Sequence, residues 1–271
     1  MSKQTELDRI LRKLADDYGK LNDKQIAYAI AEIGRVRGEV AELLNEFAAD
    51  DGTIKRQRLS RLQRELDGVE RNIRKYGSTT MDGIVAESSS AYITGATAAV
   101  SSVVGVPLVA ASIERLNANV IDYVTRRFGE DGLVLSDRVW TLSGDIRDAI
   151  GASIRRDIIR GEPVSKMVKN VRAVYANETW KIKRLVVTEG NTAYRAASAI
   201  SAQKSEIITY VKLNDNASRH TNHERHACYK LAREDRYGEG AGVFKPTDTD
   251  IYLPHPNCTS FITSIIDDKY L

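Results

Sequence analysis

Every histidine and cysteine of the chain lies near its C-terminus, from His220 onward. They read His220-x2-His223-x2-His226-x-Cys228 and, beyond a turn-rich stretch, His255-x2-Cys258. Random scatter over 271 positions does not confine all six to one short window. Zn²⁺ takes four nitrogen or sulfur ligands tetrahedrally, and two short-spaced groups joined by a loop are how a module of thin core is fixed. The quartet expected on this pattern is Cys228, His255, Cys258 and His226, with His220 or His223 as the alternative fourth ligand. Two other readings fit the same residues: hydrogen-bonded imidazoles beside two buried free thiols, or a Cys228–Cys258 disulfide formed after release from the cell.

Catalytic readings are weaker. His223-Glu224-Arg225-His226 is one residue short of the zincin pattern, so its Glu is misplaced for a general base. A metal-dependent nuclease using His220, His223 or His226 with Asp215 or Glu224 stays open, because such sites have no single fixed spacing. The chain has no phosphate-binding G-x-x-x-x-G-K-[ST] loop, no G-x-S-x-G elbow and no EF-hand loop. Gly238-Glu239-Gly240-Ala241-Gly242 reads as a turn, since no strand-to-helix pattern frames it.

The elements that must position these residues are mostly helices. A composition of 42% hydrophobic, 28% charged and 7% aromatic residues, with 5 Pro and 18 Gly, excludes collagen-like and disordered chains. Two cysteines exclude a disulfide scaffold, and the opening MSKQTELDRI has no apolar run of the secretory kind, so synthesis in the cytoplasm is expected. The fold class expected is mainly α with a small C-terminal α+β module, preceded by an N-terminal helical hairpin or coiled-coil-like extension.

Four stretches differ in texture. Residues 1–80 are a charged helical extension. Ile26, Ile33, Val40 and Phe47, with Ile30 and Leu44, form one heptad seam, interrupted by Arg37; Leu59, Leu66 and Ile73, with Leu62, Val69 and Tyr76, form another after the Asp50-Asp51-Gly52 turn. An earlier helix is expected over about 5–21. Residues 81–135 contain the charge-free run Ser88–Ile113 and a helix. Its six serines and mid-run Pro107 make it a poor bilayer span, so a buried helix kinked at Pro107 is expected, without stable membrane binding but with transient envelope contact allowed. Residues 136–204 are a basic helical domain: Ser136 caps one helix that Gly161 ends, Pro163 opens a second, and a third runs from about Asn177 to Gln203. Lys181, Lys183 and Arg184 are expected to sit beside Arg155, Arg156 and Arg160 as a surface for the phosphates of duplex DNA, without sequence preference. Residues 205–271 are the α+β module, with strands expected over Ile207–Leu213 and Phe261–Ile266. A net charge of +3 means that contact with nucleic acid must come from local clusters, not from the whole surface.

From Ser136 to the C-terminus the chain resembles the minor head proteins of tailed bacteriophages, the Mu F-like head morphogenesis family. Three stretches carry the likeness: Ser136-Asp-Arg-Val-Trp140 with the Ile159-Arg-Gly161-Glu-Pro-Val-Ser165 turn, Arg184-Leu-Val-Val-Thr188-Glu189 with Ala193, and the closing Pro254-His255-Pro256-Asn257-Cys258. Where the family often continues Arg-Cys, this chain has Thr259-Ser260, and the usual D-x-R-T is loosened to Asp215-Asn-Ala-Ser-Arg219-His220. The resemblance implies a low-copy virion protein inside the phage head, associated with the portal protein and in contact with DNA. It implies a role in head morphogenesis or DNA ejection and no catalytic activity. The competing classes are a nuclease acting on phage DNA ends and a DNA-binding protein outside the virion.

Overall fold

Apolar residues at helical spacing, broken by glycine and short polar turns, make most of the chain helical. The computed structural model describes residues 2–105, 110–216 and 223–271, apart from the side chains of 110–112. The helices are α1 Lys3–Ile33, α2 Val36–Glu46, α3 Leu59–Val104, α4 Ala110–Arg126, α5 Leu135–Arg160, α6 Val164–Gln203 and α7 Ala227–Leu231. Strands β1 Ile208–Asn214, β2 Val243–Phe244 and β3 Phe261–Ile266 form an antiparallel sheet of order β2-β1-β3. The fold is thus mainly α with a small sheet in its C-terminal module. Pro107 and His220 lie outside the described residues.

Two compact units are interleaved along the chain: residues 1–25, 83–127 and 184–271 form one, residues 26–82 and 128–183 the other. Helices α1, α3 and α6 each contribute to both.

In the second unit, α2 and the start of α3 are antiparallel. Glu39 accepts hydrogen bonds from Asn72 and Tyr76, and Arg58 donates to the carbonyl of Phe47. Val40 and Leu44 of α2 and Leu62, Leu66 and Ile73 of α3 are all buried, each side chain contributing roughly 1.5–3 kcal/mol. This is the expected hairpin with one correction: the seam from Ile26 to Phe47 does not follow a single helix. The chain turns at Gly34-Arg35, where a Cβ on Gly34 would lie 2.7 Å from the carbonyl oxygen of Ile30, and Arg37 donates back to the Gly34 carbonyl. The residue that breaks the heptad therefore holds the turn that breaks the helix. The helix expected over about 5–21 is the first part of α1, which continues to Ile33.

Helices α5 and α6 form another antiparallel pair, closed by Gly161 in the left-handed conformation at φ 70°. Two further expectations are corrected here. Helix α5 begins at Leu135, so Ser136 is inside it, and the Asp137 carboxylate accepts from the Val134 N–H. Pro163 opens a single helix of 40 residues in place of two, because the buried stripe Met167, Val171, Tyr175, Ile182, Val186 keeps one phase through Asn177.

The first unit is built around the C-terminal half of α6, where every residue from Leu185 to Ala199 is buried. Small side chains allow this. A Cβ on Gly190 would stand 3.0 Å from the Tyr18 hydroxyl and 3.3 Å from the Ser88 hydroxyl, so a side chain there would crowd α1 and α3. Tyr194 stacks on Tyr18 at 4.1 Å and meets Tyr92 edge-on at 5.1 Å. The uncharged run places Ser88, Ser89, Tyr92, Ile93, Ala96, Ala99 and Val100 in this core. Among the described residues no helix is long and apolar enough to cross a membrane. At the open edge of the sheet, the Gln4 amide accepts from the Ile266 N–H and donates to the Ser264 carbonyl, covering part of β3 that would otherwise be free to pair.

Candidate metal centre

The potential ligands come from two short irregular segments pinned to α6. His226 is the residue before α7, in extended conformation at φ −78° and ψ 145°, and Cys228 sits buried in the first turn of that helix. Opposite them is the Pro254–Ser260 turn, with Asn257 at φ 62°, a left-handed conformation that Asn tolerates better than most residues. The backbone N–H of Asn257 donates to the Thr188 hydroxyl at 2.9 Å. Arg195, fully buried, donates from Nε to the carbonyl of Tyr252 at 2.8 Å and from Nη1 to those of Cys258 and Ser260 at 3.1 and 2.8 Å. One guanidinium thus ties two carbonyls of the turn, and that of Tyr252 just before it, to α6.

These contacts bring His226, Cys228 and His255 together, their ligand atoms all within 4.8 Å of one another. His255 Nε2 lies 3.1 Å from Cys228 Sγ, and the two imidazoles meet edge to face at 4.7 Å. Nδ1 of His255 lies 2.8 Å from the Pro256 carbonyl oxygen. A carbonyl only accepts, so Nδ1 carries a proton and Nε2 faces the thiol, the orientation second-shell contacts give to a ligating histidine. Cys258 lies beside this group of three and not within it: its thiol interacts with Cys228 and with His255, and its Sγ is 3.0 Å from the Ser260 hydroxyl. The hydrogen bond from Cys228 and the Arg195 charge hold Cys258 well below the ordinary thiol range, while that same bond and burial push Cys228 up. Burial works against a charge on His255, yet the neighbouring Cys258 leaves it raised. A group of two imidazoles and a thiol at this spacing could hold a metal ion.

The other expected residues divide. His223 packs edge-on against Tyr229 at 5.1 Å and stands outside the metal group. Asp215 is engaged by Arg233 at 2.9 Å, and Glu224 is exposed. Arg155, Arg156 and Arg160 line one cleft, but the expected neighbourhood with Lys181 is corrected: the antiparallel register sets Lys181 against Asp145 and Asn170 against Asp157. Ten residues of α5 separate Asp145 from Arg155, about 15 Å along the axis. Lys181 is further bound to Glu178, whereas Lys183 and Arg184 are exposed.

Compared with protein-family models, curated proteins and solved structures, the chain matches none.

Two buried charges escaped the sequence reading. Arg195 had a visible signal, as the one charged residue between Glu189 and Lys204. Arg127 had none: its 2.7 Å ion pair with fully buried Glu189 joins residues 62 apart in sequence.

Proposed function

We propose that this chain is a minor structural protein of a tailed-phage head, bound near the portal protein inside the capsid, contacting packaged duplex DNA and needed for head morphogenesis or genome delivery. What supports the reading is the bond between two of the three stretches that carry the family likeness. Thr188, of the R-x-x-x-T-E helix, receives the backbone N–H of Asn257, of H-P-N-C. Residues far apart in sequence are linked in the resemblance and meet in the fold, as parts of one structural device would. The roles of Thr188 and Asn257 are those of a brace; neither reacts in this reading.

The finer reading of the metal group is a structural zinc held by His226, Cys228, His255 and Cys258. The donor set suits it: two imidazoles and two sulfurs, one imidazole oriented by a backbone carbonyl and one thiol already biased toward thiolate. Zinc bound there would supply charge and cross-linking, tying α7 to the Pro254–Ser260 turn in a module too small for a large core of its own. DNA contact, in this reading, falls to Arg155, Arg156 and Arg160 at one end of α5 and to Lys181, Lys183 and Arg184 along α6.

The test of the head assignment is deletion of the gene from the phage that carries it. Heads filled with DNA but poorly infectious, restored by the gene in trans, are the expected result; full infectivity without the gene would overturn it.

A further inference from the structure

The basic residues of α5 line a concave site with α3. Arg147, Arg155, Arg156 and Arg160 stand around a cleft of about 520 Å³, with Gln63 and Leu66 on the opposite side. Gly151 and Ala152 keep its floor low between the arginines. Arg147 is neutralised by Asp67 and Asp148, each at 2.7 Å. The other three differ: Arg155 lies against the Gln63 amide oxygen, Arg156 reaches the Ser153 hydroxyl at 3.3 Å, and among the described residues no carboxylate pairs with Arg155, Arg156 or Arg160. Exposed Ile159, at 51%, adds apolar surface to the same lining.

We propose that this cleft takes an unpaired nucleic-acid strand, its phosphates on the three unneutralised arginines and a base against Ile159 and the guanidinium planes. The chemistry is specific to each part. Guanidinium forks bind phosphate oxygens two at a time, and the same planar groups stack on bases. The cleft has the volume of a small-ligand site, so a nucleotide enters it, whereas a duplex with its bases paired inside presents only its backbone to the rim. The proposal rests on the DNA-contact part of the reading above and adds to it a preference for single strands and a defined place.

The experiment uses the full chain and a labelled thymidine oligonucleotide of about twelve nucleotides, compared by fluorescence anisotropy with a blunt duplex of equal length. The single strand is expected to bind about tenfold more tightly, with affinity falling as salt rises. Ala152→Trp, which fills the floor without changing charge, should weaken single-strand binding about tenfold and leave the duplex unaffected. Arg156→Glu with Arg160→Glu should abolish the single-strand preference, an independent readout if the tryptophan disturbs folding. Equal affinity for strand and duplex, with Ala152→Trp silent, would overturn the cleft and leave DNA contact standing. Thymidine monophosphate binding as tightly as the strand would overturn it in favour of a nucleotide pocket. Binding to none of these probes would overturn the cleft and the DNA contact together.

Discussion

Buried charge is concentrated on one stretch of α6. Glu189 and Arg127 are shut from solvent as a pair, so removing one leaves the other uncompensated in the core. Arg127→Met should therefore cost about 3–5 kcal/mol in urea unfolding, and adding Glu189→Met should restore a large part of it. If the single and double variants are equally unstable, the pair is not what holds this region. Arg195 serves differently, satisfying the Tyr252 carbonyl and two carbonyls of the turn that carries His255 and Cys258. The zinc reading is tested on the same turn. Purified protein should contain about one equivalent of zinc by elemental analysis, as a single four-ligand site requires. Cys258→Ser and His255→Ala should each abolish it, and His223→Ala should not. Chelation should raise hydrogen exchange in α7 and around Cys258 while α2 and the start of α3 keep their protection. Metal-free protein whose exchange is unmoved by added zinc would leave hydrogen-bonded imidazoles and buried thiols as the account of the cluster.

At the scale of elements, α6 gives the sharpest distinction between what a sequence displays and what a chain does. A third helix is expected to begin at about Asn177, yet Asn177 lies exposed inside a continuous one. The two possibilities predict opposite signs. Within a helix, Asn177→Ala should stabilise by about 0.5 kcal/mol through helix propensity; at a cap it would cost about 1 kcal/mol. Chemical denaturation of the purified variant measures which holds. Strands β1 and β3 were legible because β-branched residues cluster between polar turns, and the seams of α2 and α3 because their apolar spacing is regular. The three ligand residues now brought together were legible as a cluster by residue type alone. All three were in the expected quartet; how they are positioned was not legible, because it depends on Arg195 and Thr188, which reach the turn from a helix more than fifty residues earlier in sequence. Nor could composition show that Lys181 faces Asp145, since the register of α5 on α6 is set by the Gly161 turn and by the packing of both faces.

Across the whole molecule, long helices serve two units at once, so stretches that differ in composition are not separate bodies along the chain. The charge-free run illustrates this. Its serines and alanines, too polar for a lipid-facing span, are what α3 needs to lie close to α1 and α6, as Gly95 does where a Cβ would come within 2.7 Å of Leu14. The proposed virion role asks little chemistry of such a protein and much of its surfaces: the portal, duplex DNA at the basic residues, and an unpaired strand in the α3–α5 cleft. That role is tested most directly by quantitative mass spectrometry of purified phage particles. The account predicts that the chain is present in mature particles at far fewer copies than the major capsid protein. Its absence from infectious particles, or a copy number matching the capsid lattice, would contradict it.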